Sequence, residues 1–108
     1  MVTPDRGDLI WIDFDPARGR EQKHHRPALV ISPHSYNKYS KLILVCPITS
    51  NVRKYAFGVP IEHTTVVGMI LVDQIKAFDW KDRDAKRIGT SDLATVEQVL
   101  HKLQLLIS

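Results

Sequence analysis

One cysteine, Cys46, stands in 108 residues, so no disulfide can close within the chain, and a reducing compartment fits. No apolar run approaches the roughly 20 residues that a membrane-crossing helix needs, and the opening MVTPDRGDLI holds no secretory h-region. The expectation is a soluble, cytoplasmic protein with no membrane association. The five histidines, His24, His25, His34, His63 and His101, fall in no Cys/His or HExxH frame, so neither a metal site nor a cofactor is expected. Repeats, linkers and low-complexity tracts are missing as well, and the length is that of one domain spanning 1–108.

What is present is an ordinary globular balance, 44% hydrophobic and 25% charged residues. A net charge of +3 permits a nucleic-acid partner without requiring one. β-Formers dominate the first half. Leu9 to Phe14 predicts a strand, and the turn chemistry of Asp15-Pro16-Ala17-Arg18-Gly19 opens a polar loop reaching His25. Ala28 to Ile31 is wholly apolar and predicts a strand buried on both faces. Ser32 as N-cap with Pro33 at the first helical position predicts a short helix. Leu42 to Cys46 predicts the next strand, with Pro47 interrupting it as at an edge or bulge before Ile48-Thr49-Ser50. Further strands are expected over Phe57–Ile61, Val66–Ile75, Ala77–Trp80 and Lys86–Ile88. Leu93, Val96, Val99, Leu100, Leu103, Leu106 and Ile107 then recur at helical spacing, from an N-cap near Ser91. The pattern is mainly β with α: a small, curled antiparallel barrel, a short helix after strand two, and a C-terminal amphipathic helix.

The polar loop concentrates chemistry. Glu21, His24, His25 and Arg26 offer a base, acids and a phosphate donor within six residues. RNA cleavage needs no protein nucleophile, because the ribose 2′-hydroxyl attacks the neighbouring phosphorus once a base takes its proton. An acid then protonates the departing 5′-oxygen, and a cation stabilises the extra negative charge. The bland alternative is a solvated loop. Arg26, held by Pro27 and the strand beyond, can grip a phosphate with both arms of its guanidinium, or else serve a structural ion pair to Asp73 or Glu21. Thr49 can donate its hydroxyl from a strand end, or simply be a good strand residue. Asp73 and Gln74 interrupt an apolar run, where they either read a substrate or sit at the surface. Lys81, Arg83, Lys86 and Arg87 fit a solvated hairpin better than a nucleic-acid track.

Taken in order, Arg6-Gly7-Asp8, Leu9-Ile10-Trp11-Ile12-Asp13-Phe14-Asp15-Pro16, Gly19-Arg20-Glu21-Gln22, His25-Arg26-Pro27-Ala28-Leu29-Val30-Ile31-Ser32, Pro47-Ile48-Thr49 and Leu71-Val72-Asp73-Gln74-Ile75-Lys76 resemble the MazF family of toxin endoribonucleases, the mRNA interferases, over almost the full length. The resemblance implies an SH3-like β-barrel working as a homodimer. It also implies metal-independent cleavage of single-stranded RNA at short motifs, leaving a 2′,3′-cyclic phosphate and a 5′-hydroxyl, and a MazE-like antitoxin whose acidic segment covers the RNA groove. The family's key arginine and threonine fall on Arg26 and Thr49. A guanidinium with pKa above about 12 is a poor base at neutral pH, so Arg26 suits phosphoryl charge stabilisation and proton donation, with Glu21 or His25 as the base. Arg20, Gln22, Lys23, His24, Asp73, Gln74 and Lys76 are the expected substrate contacts. A non-catalytic nucleic-acid-binding module and a gyrase-poisoning toxin are the alternatives on the same fold. Arg20, Lys23 and His24 stand where relatives usually have small residues, and 51–61 match loosely, so the RNA motif does not carry over.

Overall fold

The computed structural model describes residues 2–14, 25–51 and 54–108. Seven strands and two α-helices follow in the order β1 (Asp8–Asp13), β2 (His25–Val30), α1 (His34–Ser40), β3 (Leu42–Thr49), β4 (Gly58–Glu62), β5 (Val67–Leu71), β6 (Lys76–Asp79), β7 (Lys86–Thr90) and α2 (Leu93–Ile107). A single 3₁₀ turn, Val72–Gln74, joins β5 to β6. All strand pairs are antiparallel, in the order β4-β5-β3-β2-β1-β7, with β6 paired to β3 beside that path. The sheet curls until its ends meet: a side chain added at Gly89 on β7 would come within 2.8 Å of the His63 ring, which follows β4. The result is a small half-barrel with a helix at each side.

The curl leaves apolar residues on both faces. Leu9, Leu29, Ile31, Cys46, Ile48, Val59, Ile70 and Val72 pack with Val96 and Val99 of α2. Ile10, Ile12, Ala28, Val30, Ile43 and Val45 pack on the opposite face with Trp80 and Ala85. β2 therefore contributes alternate residues to two cores, as its unbroken apolar sequence implies for a central strand.

Three local expectations are corrected. Pro47 marks neither an edge nor a bulge; it is buried in β3, the most heavily paired strand. On one side of β3, β6 pairs with Leu42–Val45 and β5 with Ile48–Thr49, so Pro47 falls in the gap where the strand changes partners. Val66–Ile75 is not one strand. The 3₁₀ turn breaks it after Leu71, and that turn carries the chain from one end of β3 to the other. Nor does Ser32 cap α1. Pro33 holds the cap position, while the buried Ser32 hydroxyl donates to the side-chain Oδ1 of Asn37 and accepts from the Leu44 backbone amide at 2.9 Å. Asn37 in turn donates to Pro4 and Ser32 carbonyls, and its own backbone carbonyl accepts from the Trp80 indole. Satisfying every polar group of a buried cluster this way locks α1 onto the sheet.

α2 begins as its periodicity predicts, one residue past Ser91: Asp92 is the N-cap, and its carboxylate accepts from the Thr95 amide and hydroxyl. No helix among the described residues is long and apolar enough to cross a membrane. The Arg6-Gly7-Asp8 motif is framework. Arg6 donates to the Ile31 carbonyl at 2.7 Å, Gly7 bonds Val30 and Ser91, and Asp8 pairs with Arg87 at 3.3 Å.

Candidate active site

Strand parity decides which polar residues meet. Arg26 lies opposite Ile12 in the β1–β2 ladder, so it shares the face of Ile10, Ile12, Ala28 and Val30. The β2–β3 ladder ends with Ala28 opposite Pro47. Two residues further in the same antiparallel sense come Arg26 and Thr49, on one face of neighbouring strands. Thr49 pairs on its other side with Met69. Lys76 lies opposite Val45 and Phe78 opposite Ile43, which brings both onto the same face.

Arg26 is exposed, and among the described residues it has no carboxylate partner. Its guanidinium lies 5.7 Å from the Phe14 ring centre, and Phe14 packs edge-on against Phe78 at 5.0 Å. Aromatic contact steadies the cation without neutralising it, so the charge stays available to an anion. The Thr49 hydroxyl accepts from the Asn51 amide at 3.1 Å, which orients the oxygen and leaves its own hydrogen free to donate outward.

Adjacent strand residues face opposite ways, so His25 is on the other side of β2 from Arg26. There it stacks on Trp11, with ring centres 6.4 Å apart, and stands 3.9 Å from Asp84. Within one chain the fold therefore sets Arg26, Thr49 and Lys76 on one face, Lys76 four residues along β3 from Thr49, and leaves His25 on the other. Arg20, Glu21, Gln22, Lys23 and His24 lie outside the described residues.

Asp73 and Gln74 sit in the exposed 3₁₀ turn at the rim of the same face. The Asp73 carboxylate accepts a hydrogen bond from the Tyr55 hydroxyl rather than meeting Arg26. That bond, together with the nearby negative charge, raises the Tyr55 pKa and keeps its phenol a donor. Between Thr49 and Gln74 opens a depression of about 260 Å³, lined also by Asn51, Tyr55, Met69 and Leu71. Sequence reasoning passed over Tyr55, Asn51 and Phe14. A lone tyrosine in a loosely matching loop carries no signal until Asp73, 18 residues on, is placed beside it.

Other titratable groups are framework. Burial, aided by the charge of Asp73, pushes the Cys46 thiol up to about 12, so it remains protonated and unreactive. In the Lys81–Arg87 segment that links β6 to β7, Arg83 packs on Phe78 at 4.9 Å, Lys86 stands 3.8 Å from Asp84, and Arg87 holds Asp8. These contacts are framework, and the segment is not a hairpin, since β6 pairs with β3 and β7 with β1.

A curled antiparallel half-barrel that carries on one face a strand-end threonine and an arginine with no carboxylate partner among the described residues defines a class of small β protein, and comparison with known proteins narrows it. The family model of PemK-like, MazF-like toxins of type II toxin–antitoxin systems matches residues 5–107. The chain is 40% identical over 105 residues to the endoribonuclease toxin MazF of Escherichia coli K12, covering 97% of this chain and 95% of that one. It is 42% identical to the E. coli endoribonuclease toxin ChpB, covering 95% and 93%. The crystal structure of MazF from Deinococcus radiodurans superposes with a TM-score of 0.86 at 37% identity, over 97% of this chain and 96% of that one. A MazE–MazF crystal structure from the same organism superposes equally well, at 34% identity over 98% and 96%. The chain belongs to the PemK-like, MazF-like toxin family.

Proposed function

We propose that this chain is a sequence-specific endoribonuclease toxin that cuts single-stranded mRNA in the cytoplasm without a metal ion. The observation that carries the reading is the placement of Arg26 and Thr49 on one face, at the end of neighbouring strands. In the reaction a base removes the 2′-hydroxyl proton and the 2′-oxygen bonds to phosphorus. The P–O5′ bond breaks, and a proton passes to the departing 5′-oxygen. The products are a 2′,3′-cyclic phosphate and a free 5′-hydroxyl. Charge builds on the non-bridging oxygens as the phosphorus becomes five-coordinate. Arg26 meets it with its guanidinium, and Thr49 adds a neutral donor. Because His25 faces away from Arg26 within the chain, we assign the base to Glu21. Lys76 and Gln74 border the same face and suit the RNA strand; Arg20, Gln22, Lys23 and His24, which lie outside the described residues, are assigned to the same strand by the family resemblance alone.

The working form in this proposal is a homodimer, silenced by a MazE-like antitoxin whose acidic segment lies over the basic face. The solved MazE–MazF complexes of similar proteins support such a partner.

Purified protein incubated with mixed-sequence RNA in EDTA tests the reading. Discrete fragments with cyclic-phosphate ends are expected. Retarded but intact RNA would instead make this a binding module, and intact RNA with trapped gyrase–DNA complexes a gyrase poison. Arg26→Ala is expected to slow cleavage on the order of a hundredfold or more, the range for losing one transition-state donor, and Thr49→Ala to slow it less but clearly. Near-wild-type turnover in a folded Arg26→Ala protein would remove that residue from the mechanism.

A further inference from the structure

The depression beside Thr49 has a composition that transesterification does not call for. Its floor is apolar, formed by Met69 and Leu71, and its rim carries two side-chain amides, Asn51 and Gln74, and one aromatic wall, Tyr55. At about 260 Å³ it falls below the roughly 300–1,000 Å³ of pockets that take drug-sized ligands, and it suits one flat ring system.

Its wall is held from three directions. The Tyr55 hydroxyl donates to Asp73, which fixes the ring's outer end. The backbone behind the ring is a tight turn closed by the Gly58 amide on the Tyr55 carbonyl at 3.0 Å. Lys102 of α2 donates to the Ala56 and Gly58 carbonyls at 2.9 and 3.0 Å, and the Val72 amide donates to the Phe57 carbonyl at 2.9 Å. On the floor, Met69 lies so close over Gly58 that an added Cβ there would come within 2.5 Å of its sulfur. An aromatic ring so braced loses little freedom when a second ring stacks on it.

Single-stranded RNA is read this way: an unstacked base lies against an aromatic ring while amide groups address its hydrogen-bonding edge. An amide presents a donor and an acceptor side by side and so matches the edge of a base. We propose that this depression receives one base of the RNA flanking the scissile phosphate, and that Tyr55, Asn51 and Gln74 set the sequence preference at that position. The proposal rests on the endoribonuclease reading and extends it from where the strand is cut to which strand is chosen. Thr49 links the two functions, since its hydroxyl belongs to the reacting face while its side chain forms one edge of the depression.

Cleavage ends mapped on a long transcript, for wild type and for Tyr55→Ala, Tyr55→Phe and Asn51→Ala, test it. Melting curves establish that each exposed-residue variant is folded. Wild type is expected to cut at a short motif. In Tyr55→Ala and Asn51→Ala the preference at one position beside the cut should weaken on the order of tenfold, as for loss of one base-stacking or base-reading group, while the other positions keep theirs. Tyr55→Phe retains the stacking wall and loses the tether to Asp73, so its preference should fall between. Folded variants with an unchanged motif, or with equal slowing at every site and the same motif, would overturn the base-reading assignment and leave the nuclease intact. A wild-type protein that yields no fragments would overturn the endoribonuclease reading itself.

Discussion

Gly68 sits where β5 crosses the end of β3, and a Cβ there would fall 2.2 Å from the Thr49 carbonyl oxygen. That atom is backbone inside a ladder and cannot swing aside as a side chain can. Gly68→Ala should therefore force the two strands apart, at about 1–3 kcal/mol, the range for overpacking. Its denaturation midpoint should drop, and cleavage measured where the variant is still folded should drop too, because the displaced residue is Thr49 itself. A wild-type midpoint would mean that the strands part more easily than this contact implies. Residues of this kind divide what the sequence discloses from what it hides. Arg26 and Thr49 drew attention through the family resemblance, and that they share a face follows from strand pairing that no local pattern shows. That His25 and Arg26 face opposite ways follows from strand parity, and became visible only once β2 was known to begin at His25. Tyr55 stayed hidden because its significance lies in a partner distant in sequence.

Elements whose signal is periodic were read well. α2 was evident from apolar residues three and four apart, and its N-cap, expected near Ser91, is Asp92. Elements whose limits depend on tertiary pairing were not. Pro47 suggests an edge or a bulge when read locally, yet it is buried within the central β3, because β6 and β5 meet that strand's two halves separately. The cap of α2 can be tested by itself. The hydrogen bonds from Thr95 hold the Asp92 carboxyl below its free value of 3.8. A carboxylate depressed in the folded state contributes stability above its unfolded value and loses it as pH falls through the lower, folded one. Asp92→Ala should therefore lower the melting temperature at neutral pH. Its difference from wild type should shrink as the pH is taken below 3.8. A difference that stays constant into strong acid would show that the cap acts through the backbone rather than through the charge.

At the scale of the whole molecule, Arg26 stands exposed near the start of β2 and Thr49 at the end of β3, on one face of the sheet. Such a surface grips an extended polymer better when a second wall stands opposite. The molecule also has apolar surface to cover. Val67 at the start of β5 is 63% exposed, and near the end of α2 Leu105 and Ile107 are 61% and 76% exposed, on a helix whose inner side is already packed. A twofold pair is the commonest way for a small protein to cover such residues, and it places two copies of the Arg26 face in one particle. Sedimentation at micromolar concentration should therefore show a dimer. Leu105→Asp with Ile107→Asp should shift the protein towards monomer without unfolding it, since neither side chain is in the core. If one RNA groove is assembled from both copies, cleavage per chain should fall on dilution of wild type and should be lost in the monomeric variant even though each Arg26 remains. Wild type sedimenting only as monomer at micromolar concentration would refute the pair. Full activity in a monomeric variant would show that one half-barrel holds the whole site.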